Sequence, residues 1–114
     1  MIKNIRLKKS FLIASPDNKL DYIYVEDIAR YFIKILTYNP NSGIYNVGSG
    51  QRIKIKDIFK ILKIKIDKNY NFNVFGNSRK ILNFCSSQIK SIKSINWKPK
   101  FTIKTGLDKI IKLS

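Results

Sequence analysis

The sequence predicts an α/β fold of mixed short strands and helices, with some parallel pairing. Three observations carry that prediction. Short β-rich apolar runs alternate with stretches whose apolar residues recur at helical spacing. Proline and glycine stand at many of the joins, as at Pro16, Pro40, Gly43 and Gly76. With 114 residues, 44% hydrophobic and 26% charged, the chain has a globular profile and room for one domain. No repeat, low-complexity tract or linker divides it, so residues 1–114 read as a single unit.

In chain order, residues 11–14 form an apolar run closed by a turn-like Ser-Pro-Asp-Asn. Residues 20–25 are rich in β-formers, and Asp27 stands where a helix N-cap belongs. Ile28, Tyr31, Phe32, Ile35 and Leu36 then mark an amphipathic helix over 28–38, stopped by Pro40 and Gly43. Residues 44–47 read as a buried strand, and Gly-Ser-Gly follows at 48–50. Ile55, Ile58, Phe59 and Leu62 give a second helix. The alternation at 63–66 reads as a strand leaving it, and 71–75 as another. A short helix is expected within 86–94. Thr102 caps a last one bearing Ile103, Leu107, Ile110 and Ile111 on one face.

Composition excludes several chemistries. The chain has no histidine, so Ser-His-Asp and Cys-His catalysis are out, as is any imidazole-bound metal. Its one cysteine, Cys85, makes neither an internal disulfide nor a metal site alone, which suits a reduced compartment. The only apolar run near the basic start is too short for a signal-peptide core, and no stretch approaches the roughly 20 residues of a membrane span. A cytoplasmic protein without membrane attachment is expected.

The charge points towards polyanions and is then discounted. Lys and Arg number 23 against 7 Asp and Glu, a formal +16. Yet 19 of the 23 are lysine, and Ile, Lys and Asn together make 51 residues. These amino acids have AT-rich codons, so a biased genome explains much of the surplus. Arginine, the residue of bidentate phosphate and base recognition, is scarce. A basic module for nucleic acid or another polyanion stays as the alternative reading.

Local motifs add little alone. Residues 44–50 before a helix resemble a dinucleotide fingerprint, but Ile53 stands where the third glycine belongs and no acidic residue follows at the right distance. A plain strand-to-helix turn is the expectation. Glu26 and Asp27, adjacent at a helix start, suit capping and the helix dipole better than paired acid–base work. Cys85 follows Phe84 in an apolar context and reads as a structural thiol. Arg79 lies in a glycine-led loop at 76–80, where a guanidinium can clamp a pyrophosphate or simply face water.

Three segments taken together resemble the C-terminal part of the extended short-chain dehydrogenase/reductases, the NAD-dependent sugar-nucleotide epimerase/dehydratase family. DYIYVEDIA at 21–29 is similar to the family's R-D-[FY]-[IV]-[YH]-V-x-D-[VI]-A. GIYNVGSG at 43–50 is similar to V-Y-N-[VIL]-G-[ST]-G. INWKPKFTIKTGLDKII at 95–111 is similar to L-G-W-x-P-x-x-[ST]-[LI]-x-x-G-L. Their order and separations make the likeness strong, and it covers residues 10–113.

The resemblance implies a partial domain, 1–114, matching the substrate-binding region of such enzymes. The family's glycine-rich loop for NAD or NADP and its catalytic Tyr-x-x-x-K pair have no match here. No catalytic and no cofactor-binding residue is therefore expected in this chain, and no turnover by it alone. Arg79 is the best match to a diphosphate-binding arginine, and the backbone of Ile13 and Ala14 is expected to line the base. Leu20 replaces a second frequent arginine, and Ser87 replaces an aspartate of the A-D-x-S-K helix. The expected ligand is a nucleotide sugar, weakly held and UDP-glucose 4-epimerase-like, and the expected partner a separately encoded N-terminal Rossmann half. Without that half, the faces around Tyr31, Ile35, Ile44 and Val47 are expected to lie open.

Overall fold

A computed structural model describes residues 1–10, 12–13, 15–74 and 95–114 of the chain. Helix α1 (Ile2–Arg6) leads to strand β1 (Leu12–Ile13), a turn, and strand β2 (Lys19–Asp21). Helix α2 (Val25–Tyr38) follows, then strand β3 (Arg52–Lys54) and, directly, helix α3 (Ile55–Ile66). Strand β4 (Asn73–Val74) and helix α4 (Ile103–Leu113) complete the described elements. Strands β1 and β4 pair in parallel, Leu12 with Asn73 and Ile13 with Val74. Strands β2 and β3 pair antiparallel, with Leu20 opposite Ile53. The α/β class and the parallel pairing are as the sequence reads.

The packing centres on two clusters. Ile5, Ile58, Leu62, Tyr70 and Leu107 form the first, joining α1, α3 and α4. Helix α1 is absent from the sequence reading because one turn carrying Ile2 and Ile5 among basic residues gives no periodic stretch. Its end is tied down twice. Arg6 donates to the carbonyls of Ile111, at 2.8 Å, and of Ser114. Just beyond the helix, the Tyr70 hydroxyl donates to Lys9 O at 2.7 Å. The second cluster is Tyr31, Ile95 and Trp97, with Trp97 edge-to-face on Tyr31 at 5.1 Å.

Helix α3 starts without a side-chain cap, and the turn before β2 explains how. The Ile55 N–H donates to Asn18 O at 3.1 Å and the Lys56 N–H to Pro16 O at 3.0 Å. Two of the orphan donors of the first helical turn are thereby satisfied by backbone far earlier in the chain. Helix α2 ends at Asn39, whose left-handed conformation (φ 47°) terminates it before Pro40.

Helix α4 has the expected cap. Thr102 and Thr105 form a reciprocal box, each side chain accepting from the other's backbone N–H at 3.2 and 2.9 Å. Thr102→Ala is expected to cost about 1 kcal/mol, read as a lowered denaturation midpoint at unchanged m-value.

Several expectations fail for identifiable reasons. Helix α2 begins at Val25, so Asp27 lies inside its first turn and Tyr24 is the N-cap. Of the expected strand at 20–25, only 20–21 join a ladder, with Lys19 added before them. Residues 44–47 are not a strand, and Ile44 is 93% exposed. Residues 63–66 continue α3, since alternate lysines and isoleucines also fit a helix whose nucleus is already formed. Tyr31 is buried, not open. The short helix expected in 86–94, and Cys85, lie outside the described residues.

Candidate functional site

Strands β1 and β4 are two residues each, but their parallel pairing settles which segments lie together. Ile13 pairs with Val74 at the C-terminal end of both strands. Ile13 and Val74 thus mark the C-terminal end of a parallel pair, the end at which open α/β sheets hold ligands. The 13–14 segment is expected from the sequence to line a base. In the sequence, Arg79 follows Val74 by five positions. Ile13 itself is buried, so what it offers a ligand is backbone. Ala14 and Arg79 lie outside the described residues.

Two buried or half-buried carboxylates tie the surrounding loops to this frame. Asp21, the last residue of β2, accepts from the Ser49 N–H at 2.9 Å, from the Ser49 hydroxyl, and from the Gly50 N–H at 3.0 Å. Gly50 turns at φ +74°, a conformation that favours glycine. The 48–50 loop thus surrounds an anion, and that anion is the protein's own. The donors that a dinucleotide phosphate would need are already engaged, and β3 separates the loop from α3. The residues do not fit a dinucleotide phosphate, and the loop is not the expected strand-to-helix turn either, since residues 44–47 form no strand and β3 precedes α3.

Asp27 is fully buried and makes the second tie. Its Oδ1 accepts from the Lys100 N–H and from Arg30 Nη1, both at 2.8 Å, and its Oδ2 from the Phe101 N–H at 2.9 Å. It therefore pins the segment before α4 to the start of α2. Sequence reasoning gives Asp27 a local capping role; its partners lie 73 and 74 residues away, beyond any local signal. Asp21 reads in the sequence only as the first letter of a motif, and the Ser49–Gly50 turn that it holds is the one clue to its role.

Exposed ion pairs decorate the frame. Lys109 donates to both oxygens of Glu26 at 2.8–2.9 Å and stands 4.5 Å from the Phe101 ring centroid. The hydrogen bond from Lys109 lowers the Glu26 carboxyl below its ordinary range and raises the Lys109 ammonium. The Lys56 ammonium, 2.6 Å away, likewise lowers Asp17. A separate apolar cleft of about 590 Å³ opens between α3, α4 and residues 22–25, walled by Tyr22, Tyr24, Phe59, Phe101 and Leu107.

No family model matches the chain. A dTDP-4-dehydro-6-deoxyglucose reductase of Escherichia coli is 31% identical over 105 residues, 89% of this chain and 32% of that protein. The chain is related to the extended short-chain dehydrogenase/reductases. A CDP-abequose synthase of Salmonella muenchen is 24% identical over 99% of the chain and 40% of its own length. Among solved structures, UDP-N-acetylglucosamine 4-epimerase from Bacillus cereus superposes with a TM-score of 0.83 at 16% identity, over 98% of this chain and 40% of that one. UDP-glucose 4-epimerase from Bifidobacterium longum, solved with NAD+ and UDP, gives 0.76 at 17% identity, over 97% and 38%. The chain spans about a third to two-fifths of these proteins and corresponds to the C-terminal part of an extended short-chain dehydrogenase/reductase. Among the described residues no helix is long and apolar enough to cross a membrane.

Proposed function

We propose that this chain is the nucleotide-sugar-binding part of an NAD- or NADP-dependent epimerase, reductase or dehydratase, and that alone it turns nothing over. The observation that carries the reading is the parallel pairing of β1 with β4, which sets Ile13 beside Val74 at the C-terminal end of both strands. A base against the backbone of Ile13 and Ala14 then sits beside a diphosphate clamped by Arg79. A guanidinium supplies the fixed, bidentate, always-charged donor that a diphosphate requires. Nicotinamide chemistry belongs in this proposal to a Rossmann part outside these residues, because the Gly48–Gly50 loop already holds Asp21.

Residues 1–114 act in this reading as one partial domain completed by a Rossmann half. Its docking surface is the open stripe of α2, where Val25, Phe32, Ile33 and Leu36 are more than half exposed, with Ile44 beyond. The radius of gyration, 16.6 Å, exceeds the roughly 13 Å of a compact domain of this length, as expected of a part shaped against a partner. Nucleic acid is not favoured. Five lysines spend their charge on acids of the same chain: Lys54 and Lys56 on Asp17, Lys60 on Asp57, Lys65 on Asp108, and Lys109 on Glu26.

Half a pocket binds weakly, at about millimolar affinity. Saturation-transfer NMR with UDP-glucose is expected to detect wild-type binding, and Arg79→Ala to weaken it roughly tenfold or more. Equal transfer to both proteins would remove Arg79 from the site. Incubation with NAD and UDP- or dTDP-hexoses is expected to yield no product.

A further inference from the structure

The apolar cleft of about 590 Å³ between α3, α4 and residues 22–25 shares no lining residue with the β1–β4 edge. No charged side chain lines it, in a chain with 23 basic and 7 acidic residues. Its Thr102 and Ser114 hydroxyls are already bonded to the backbone of α4. Buried Phe59 and Leu107 line it together with Met1, Val25, Ile110 and Leu113, which are 41–82% exposed. Such a concavity offers an ion or a nucleotide nothing and suits an apolar occupant.

Two observations say which occupant. Val25 belongs both to the cleft and to the open stripe of α2, where Val25, Phe32 and Leu36 share one helical face. The cleft is therefore the end of an apolar surface that runs about 16 Å farther along the helix. That length fits a protein partner rather than a small molecule. The second observation is Met1. The chain corresponds to the C-terminal part of its relatives, and the Salmonella and Bacillus proteins match it over 99% and 98% of its residues. In those proteins the rest of the chain runs into the matched part at the position of Met1, and Met1 stands on the wall of this cleft.

We infer that the cleft seats an apolar segment of the Rossmann half, the one that leads towards position 1, and that the α2 stripe and the cleft form one continuous docking surface. The inference rests on the partial-domain reading and adds the second half of its interface.

The test co-expresses the full chain, affinity-tagged, with the portion of the Escherichia coli dTDP-4-dehydro-6-deoxyglucose reductase that precedes the matched part. The wild type is expected to capture that portion. Ile110→Gln with Leu113→Glu changes only exposed side chains, so it is expected to keep the wild-type circular dichroism and to weaken capture roughly tenfold or more. Should the double variant not fold, Leu113→Glu alone is expected to weaken capture several-fold. Leu113→p-benzoylphenylalanine, irradiated in the complex, is expected to cross-link to the end of the captured portion nearest the matched part. Capture lost with Phe32→Gln and Leu36→Glu but undiminished in the cleft variants would overturn this inference and leave the partial-domain reading standing. Cross-linking only to a second copy of the chain would overturn it too. Failure of the wild type to capture the portion would overturn both.

Discussion

Replacing Asp27 with alanine is expected to destabilise the chain by roughly 2–4 kcal/mol, the cost of taking the acceptor away from two backbone donors that a buried carboxylate serves. Asp27 is fully buried, and three donors converge on it: the N–H groups of Lys100 and Phe101, and Arg30. Alanine leaves the two N–H groups without their acceptor, while the half-exposed Arg30 turns to water. The segment that carries Trp97 towards α4 then loses its anchor to α2, so the single tryptophan should become solvent-exposed. Whole domains are stable by only about 5–15 kcal/mol, so such a loss is a large fraction of the total. The Asp27→Asn variant keeps an acceptor but loses the charge paired with Arg30, and should fall between wild type and alanine. Urea unfolding followed by Trp97 emission measures the series. An alanine variant within about 1 kcal/mol of wild type, the scale of an ordinary surface substitution, would contradict the assignment of this side chain as the clasp.

Asp27 also shows where the sequence is legible and where it is not. Periodicity finds α2, α3 and α4, because each buries one face and local spacing records it. Thr102 is readable because both halves of its capping box lie within one helical turn. Asp27 is misread because its partners are 73 and 74 positions away, and an aspartate before an apolar run is the common signature of a cap. The 44–47 run looks like a strand by composition, yet strand formation needs a neighbour. Ile44 has none among the described residues. At the β1–β4 edge, family likeness supplies the candidate residues, and the register sets Ile13 beside Val74. The Asp21 clasp needs the structure outright, since nothing local links position 21 to 49 and 50.

The second large effect concerns α2. Phe32 and Leu36, one turn apart and 58% and 80% exposed, head an apolar stripe of the kind that marks a docking surface. The isolated wild-type chain is expected to associate, and Phe32→Gln with Leu36→Glu to convert it to a monomer by light scattering. Because both side chains already face solvent, the unfolding midpoint should move little. The same variant should fail to co-purify with a co-expressed Rossmann half that captures the wild type. A wild-type chain that is monomeric at high concentration and indifferent to such a half would remove the partial-domain reading.

Exposed ion pairs set a weaker, pH-dependent margin. The folded chain holds Asp17 and Glu26 below their ordinary values through Lys56 and Lys109. Their contribution is therefore present above the ordinary carboxylate range and lost as pH falls through the lowered values. Both pairs are solvated, so the slope is shallow and salt flattens it.

Nucleotide-sugar recognition at the end of β1–β4 is tested most directly by mapping UDP-glucose onto the chain's own amides. Titration of isotope-labelled protein, followed by two-dimensional NMR, is expected to shift Ile13, Ala14 and residues 75–80 together, with one apparent affinity of about millimolar. Shifts that avoid this edge and gather elsewhere, or a spectrum unmoved at saturating ligand, would contradict the account.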